Sequence, residues 1–446
     1  MRSDLTGVVV VLGLSALVGC LGDLSRAPPG RMPMPEPWQP HAVFSANLSR
    51  SQPGHVVLDE RDGLSPDEAA ILAVDQNPAL RAVRARRGIA RAEVLRAGIL
   101  PNPMLAGNVD APVAGPYARV LGYGVGLSWN VTPLISRAPR VEGAQENVAA
   151  VDLEVAWQEW QVGQAARLHT IRLIYLNRRI VLTRQAEDVW QQRVDRLLQA
   201  GATHAVTEIA VARAQRSFAD WTMVRQNLER ERVGEQSALA EALGVDLAHV
   251  PIVQTSWRPN AHAPPANDLL ASLTERRLDL IALQHAQRSH DEALRAAALE
   301  RFPPIEVGVR VSREVDKAAS VGFALRFGIP VLNRNQGGVE RERARRGQIE
   351  DEYDARLLAA RSQVIRYSQE LTILREQLKS ATAAEAAAVR LSDLARSSGA
   401  ASALDVMVRA DIDDRAFAAR LRTFTTKEAL LETRVALSVS SGLTVP

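Results

Sequence analysis

The longest unbroken amphipathic pattern in the chain runs from about Gly337 to Ser398. It holds no proline, and apolar residues recur at Tyr353, Leu357, Ala360, Val364, Tyr367, Leu371, Leu374 and Leu378. Steps of four and three alternate, the seam of a helix lying along other long helices. Glu, Arg, Gln and Ser fill much of the space between. At 1.5 Å per residue this helix would be roughly 90 Å long, against ~11–12 residues for an average globular helix. One compact domain cannot cover a stripe of that length, so the pattern predicts a bundle of long helices.

The same pattern occurs 198 residues earlier, where Val155, Val162, Ala166, Leu173, Leu176 and Ile180 occupy the seam. Glu159 and His169 are its polar exceptions. Upstream, Leu127, Trp129, Val131, Leu134 and Val141 align with Leu325, Phe327, Ile329, Leu332 and Val339. The offset holds to Gly201 and Gly399, slips by one or two residues, and returns at Gly244 and Gly442. The chain therefore reads as a tandem duplication of large units. The copies are residues 64–250 and 268–446, joined by a proline-rich linker at 251–267.

Ahead of each long helix the period changes to two. Strands are expected at about 104–113 and 123–132, and again at about 304–312 and 321–329. Val125, Leu127, Trp129 and Val131 alternate with Gly126, Ser128, Asn130 and Thr132, and Val321, Phe323, Leu325, Phe327 and Ile329 with Gly322, Ala324, Arg326 and Gly328. One face is apolar and the other small or polar. In the first copy a helix is expected from Ser65 to Gly98, started by Ser65-Pro66-Asp67-Glu68 and kinked or broken at Pro78. A long helix follows from about Pro139 to Ala200, and a return helix from about Val206 to Leu243, closed by Gly244. In the second copy the flanking helices are expected over 268–300 and from the turn near Gly399 to Ser441.

Strands of this length with an unbroken apolar face suit a membrane barrel, where ~9–11 tilted residues cross the hydrocarbon. A soluble sheet packed on one side is the alternative. There are four such strands per chain, and a lipid-embedded sheet cannot keep open edges. A barrel built from them needs several chains.

Residues 5–18 are almost wholly apolar or small. The run is short of the ~20 residues of a membrane-spanning helix and suits the core of a signal peptide covering residues 1–19. Leu17-Val18-Gly19-Cys20 follows, which resembles the bacterial lipobox, whose cysteine is acylated and becomes the new N-terminus. A chance cysteine after an ordinary signal peptide is the competing reading. Cys20 is the only cysteine, consistent with an exported chain that forms no disulfides. Leu21 rather than Asp follows it, which by resemblance to Gram-negative lipoproteins favours the outer membrane. Residues 20–63 are rich in Pro, Gly and Ser and read as an extended tether. Met32 and Met34 within it read as exposed linker residues rather than a soft-metal site.

Charge and composition narrow the function further. With 54 basic and 51 acidic residues the net charge is +3, too little to argue for nucleic acid. The eight histidines are scattered, and His285 and His290 are not at metal-binding spacing on one helix face. No phosphate-binding glycine loop and no His-Glu-x-x-His is present. No catalytic residue, cofactor or metal site is expected.

Lipobox Cys20, the duplicated helix–strand–strand–long-helix order, Leu100-Pro101-Asn102-Pro103, and the turns Gly201…Glu208-Ile209 and Gly399…Asp405-Val406 together resemble the TolC family of outer-membrane factors. The resemblance spans nearly all of Leu64 to Leu443. It implies a mainly α fold with a small β part: a homotrimeric α-barrel tunnel across the periplasm, joined to a twelve-stranded barrel set in outer-membrane lipid. It implies a lipid-anchored channel of a Gram-negative outer membrane, not an enzyme. Its partners would be a periplasmic adaptor (membrane fusion) protein and an inner-membrane pump of the RND type. The duct would be passive, for metal ions or small toxic compounds, and Pro101-Asn102-Pro103 is most similar to the cobalt–zinc–cadmium and copper/silver branch. Gly201, Glu208, Gly399 and Asp405 would form the adaptor-docking tip, and Asp393 and Arg396 a closed gate.

Read without the resemblance, Glu208 and Asp405 are equally first-turn acids that favour the helix dipole. Asp393 and Arg396 equally form a solvated helix face, and the two glycines permit the positive φ of a tight turn. Two other classes compete. A periplasmic adaptor would carry one hairpin beside a Gly-rich β domain, and a structural coiled-coil lipoprotein would not need the strands.

Overall fold

A computed structural model describes residues 63–111, 113, 120–203, 206–257, 265–397 and 403–443, with backbone only at 403–407. The expected signal peptide, Cys20 and the tether lie outside the described residues, as does Gly399. The described residues all belong to one compact unit, Val56–Pro446.

The first copy runs α1 (Pro66–Gln76), α2 (Pro78–Gly98), β1 (Met104–Asp110), β2 (Gly122–Asn130), α3 (Thr132–Ala202) and α4 (Glu208–Leu243). The second runs α5 (Ala266–Ala271), α6 (Leu273–Arg276), α7 (Leu278–Leu299), β3 (Ile305–Arg313), β4 (Ala319–Phe327), α8 (Gln336–Ser397) and α9 (Ala403–Ser441). α8 keeps within one residue of its expected bounds, and its seam residues Ala360, Val364, Leu371 and Leu374 are buried.

Several boundaries differ from expectation for identifiable reasons. The helix expected over 65–98, kinked or broken at Pro78, is broken there into two helices. Ser65 starts α1 with a reciprocal capping box to Glu68. Asn77 then leaves helical geometry, and its Oδ1 accepts the Ala79 and Leu80 N–H groups at 2.8 and 3.3 Å to cap α2. The helix expected over 268–300 is three pieces, α5, α6 and α7. α3 begins at Thr132 rather than near Pro139. Pro133 sits in its first turn, where a missing N–H costs nothing, and Pro139 is carried inside the helix. β1 stops at Asp110 rather than 113 because its partner β2 starts opposite, at Gly122. β2 ends at Asn130, whose Oδ1 accepts the Thr132 N–H at 3.1 Å and so opens α3. β3 and β4 stand one to two residues from their expected spans.

α3 is the axis of the molecule: α1, α2, α4, α7 and α9 all pack on it, whereas α8 packs mainly on α7 and α9, with smaller contacts to α5 and α6. The seam of α3 is sealed, with Val155, Ala166, Leu173, Leu176 and Ile180 buried. Its two polar exceptions are satisfied across helices. Glu159 accepts from Arg84 at 2.5 Å, and His169 meets Glu235 at 2.7 Å.

In each copy the short helices stack end to end beside the long one. Gly244 (φ +71°) closes α4 against the start of α2, where a side chain would strike Pro78. Asn77 Nδ2 donates to the Ala242 carbonyl across this junction at 2.9 Å. Gly442 (φ +70°) closes α9 against Arg277 in the same way. Arg277 donates to the Ser440 carbonyl at 3.1 Å and is held by Asp279 at 2.9 and 2.7 Å. Such stacking lets short segments match a helix of ~100 Å.

The four strands form one antiparallel sheet in the order β1-β2-β3-β4, so the copies join through the β2–β3 pair. Both outer strands, β1 and β4, present open edges.

Candidate functional site

The sheet register sorts its residues onto two unlike faces. Leu105, Val109, Val125, Leu127, Val309, Val311, Val321, Phe323, Leu325 and Phe327 share one side. They are exposed, between 46% and 81% of their free surface. An exposed apolar face of this extent demands a partner or lipid. The opposite side is small and polar. Arg326 pairs with Glu306 at 2.9 Å, and Arg310 donates to Asn108 Oδ1 at 3.1 Å. Glycines 124 and 126 lie under Arg310, leaving room for its side chain to run along the sheet. At the other end of β2, Trp129 Nε1 donates to the Pro101 carbonyl at 2.8 Å. That contact ties the Leu-Pro-Asn-Pro corner to the sheet.

At the far end of the long helices the two hairpins are joined by consecutive acids on α9. Asp413 is buried and accepts from Ser392 Oγ (2.6 Å), Arg193 Nη2 (2.9 Å) and Arg396 Nη2 (3.3 Å). Asp414 accepts both indole N–H groups of Trp190 (3.0 Å) and Trp221 (2.5 Å). These two residues therefore contact α3, α4 and α8 at one level. Ala186, Val194, Leu197, Ala214 and Phe417 fill the space around them, with Trp221 edge-on to Phe417 at 6.0 Å. A buried carboxylate is costly unless paired and hydrogen-bonded, and Asp413 has both kinds of support.

Of the two residues expected at a gate, Arg396 reaches this junction and Asp393 does not. Asp393 is exposed, and among the described residues it pairs with Arg396 alone, at 3.5 Å. Gly201 corrects an expectation. It lies inside the last turn of α3 rather than in a positive-φ turn. The turn is made beyond it, where Thr203 Oγ1 donates to the Ala200 carbonyl at 2.9 Å. A Cβ on Gly201 would meet Val211 at 3.7 Å, an ordinary contact. Glu208 opens α4, capped by Thr207, whose hydroxyl accepts the Ala210 N–H at 3.3 Å. Asp405 falls in the first turn of α9, its side chain outside the described part.

Asp413, Asp414, Arg193, Trp190 and Trp221 were not singled out from the sequence. Asp413 and Asp414 lie some 193 to 224 positions from their α3 and α4 partners. The one local signal was a pair of adjacent acids on a helix, which alone reads as a solvated face.

Further from this end, Arg179 and Glu428 form a buried ion pair of 2.9 Å between α3 and α9. Burial pushes the Glu428 carboxyl up to about 7; Arg179 opposes this, while nearby Glu432 and Glu231 add to it. For Glu235 burial also works upward, but His169 and Arg172 prevail and hold it below the usual carboxylate range. Among the described residues no group of three or more His, Cys, Asp and Glu side chains is placed to hold a metal. No described helix is long and apolar enough to cross a membrane.

The sequence matches no family model, and no curated protein matches it. Solved structures do. A membrane protein from Pseudomonas aeruginosa superposes with a TM-score of 0.71 at 19% identity, covering 88% of this chain and 96% of that one. CusC gives 0.69 at 18% identity, covering 93% and 98%. The Campylobacter jejuni CmeC outer membrane channel gives 0.70 at 13% identity, covering 93% and 94%. The fold is thus that of the TolC-type outer-membrane channels: mainly helical, with one four-stranded antiparallel sheet.

Proposed function

We propose that this protein is the outer-membrane channel of a tripartite efflux system, a passive duct across the periplasm rather than an enzyme. The observation that carries this is the two-faced sheet with open edges, mounted on helical hairpins of ~100 Å. Three chains would close twelve strands into one barrel, apolar face to lipid and Arg310, Arg326 and Glu306 to a wet lumen. The helices support the same assembly. Near the tip they lie in the order α4–α3–α9–α8. Apolar residues stay exposed along both outer helices: Ile209, Met223 and Val233 on α4, and Ile365, Ile373, Leu391 and Leu394 on α8. The α8 edge of one chain against the α4 edge of the next gives a head-to-tail ring.

In this reading the tip, with Gly201, Glu208, Gly399 and Asp405, docks a periplasmic adaptor that joins the duct to an inner-membrane pump of the RND type. The Asp413–Arg396–Arg193 junction holds the hairpins together in the closed tip. Cys20 carries a lipid that adds to anchoring in the outer membrane, so Cys20→Ser weakens attachment while the barrel stays inserted. The Leu100-Pro101-Asn102-Pro103 corner supports the metal-exporting branch, with metal ions or small toxic compounds as cargo.

The test is conductance of the purified full-length protein in planar bilayers, together with its subunit count. A trimer with discrete channel openings is expected, and Asp413→Ala should raise the open fraction. A water-soluble monomer that leaves bilayers silent would overturn the reading.

A further inference from the structure

A groove runs over α9 between α3 and α8, and the linker segment Thr255–Trp257 roofs one stretch of it. There the groove deepens to a cavity of about 770 Å³, within the ~300–1,000 Å³ of small-molecule sites. The charged side chains in its lining are Arg178, Arg375, Lys427 and Arg434; Glu428, paired with Arg179, also acts on the lining Tyr175. The apolar walls are contributed by residues such as Leu378, Phe424 and Leu431. The neighbouring stretch of the same groove is different, because Glu370 and Glu432 stand there among Arg172 and Arg366.

Two of the four cations are set in place. Arg178 donates to the Thr255 and Trp257 carbonyls, both at 2.8 Å, and stacks over Tyr175 at 4.9 Å. Arg434 is buried; that burial, then the nearby positive charge of Arg375, holds its pKa below the ordinary arginine value. Like charges gathered on an apolar wall are stabilised by a desolvated anion.

We propose that this cavity binds a single-chain anionic amphiphile, with a carboxylate, sulfonate or phosphate head among Arg178, Arg375 and Lys427 and an apolar body against Leu378 and Phe424. All of its walls belong to one chain, so the site does not rest on the channel reading. It lies ~36 Å from the end of α3, counted from Arg178 to Ala202, and Phe424 on its wall also packs against the cluster around the Asp413 junction.

The test uses the full-length protein in a non-ionic detergent, titrated with anilinonaphthalene sulfonate and with uncharged phenylnaphthylamine, each read by its fluorescence. The sulfonate should bind saturably, one per chain. The Arg375→Glu/Lys427→Glu variant should weaken it about tenfold or more while leaving the uncharged probe unchanged. Arg375 is exposed and Lys427 half-buried, so the fold should survive, and an unchanged thermal midpoint checks that. Glu370→Gln, in the mixed-charge stretch, should leave sulfonate binding as it was. Laurate should displace the sulfonate and phosphatidylglycerol should not; displacement by the phospholipid alone overturns the single-chain assignment. Equal binding of the two probes, or undiminished sulfonate binding by the double variant, overturns the site.

Discussion

The long helices α3 and α8 are the corresponding elements of the two copies and share one seam, yet they end in unlike surroundings. Twenty-three residues of α3 are buried and eight of α8. Leu176 is fully buried and its repeat counterpart Leu374 is 9% exposed. Off the seam the contrast is larger. Tyr175 is 2% exposed, whereas its counterpart Ile373 is 58% exposed. The reason is position in the helix layer. α3 lies between α4 and α9 and also supports α1, α2 and α7, whereas α8 is an outer helix. Duplication therefore supplied one helix with two uses, an internal axis and an outer edge on which apolar residues stay exposed.

The largest expected difference comes from truncating the matched pair. Leu176→Ala should cost about 4 kcal/mol in denaturant unfolding, and Leu374→Ala about 2, because the edge site can relax toward solvent. Equal costs would mean that α8 is as enclosed as α3. Next in size is the junction between the hairpins. Asp414→Ala strands two indole donors and should lower stability by about 3 kcal/mol, with Asp414→Asn recovering part of it. Asp393→Ala, at an exposed pair, should change it by less than about 0.5 kcal/mol.

The α3–α9 contact should also respond to pH. The Glu428 carboxyl has a pKa of about 7 when folded, above the ordinary 4.5. Its stabilising contribution is full below about pH 4.5 and is lost as pH rises through 7. Glu428→Gln should remove this slope, worth on the order of 2 kcal/mol, from thermal melts run across that window. A slope that persists in the variant would place the titrating group elsewhere. The smallest effect on chain stability is expected at the edge itself. Ile365→Glu should shift unfolding by less than about 0.5 kcal/mol, yet disperse the proposed trimer in sedimentation. An intact trimer would remove that face of α8 from the interface.

Much of the fold was legible because its signals are local. A run of fours and threes without proline marks a helix whatever it packs against, and α8 was bounded to within a residue. Alternation marks strands in the same way, and the pleat then separates Val309 and Phe323 from Arg310 and Ser312 with no tertiary information. Boundaries slipped where a side chain outcompeted the pattern. Asn77 capped α2, Asn130 ended β2, and Pro133 and Pro139 were absorbed into α3 rather than delaying it.

The candidate site was less legible. Arg396 stood out as a charged residue near a turn, but its partner Asp413 lies across that turn on the returning helix, and Arg193 belongs to the other copy. Nothing in either segment's periodicity indicates which helices will be neighbours.

Sequence by itself determined the duplication, the helix and strand periods and the faces they create, since these follow from 3.6- and two-residue geometry repeated along one segment. Tertiary structure decided which of two equivalent helices became the axis, and which distant charges met at Asp413, Asp414 and Glu428. Those choices depend on how two preformed hairpins dock. Docking is governed by contacts between residues some two hundred positions apart, whose energies exist only once both surfaces are in place.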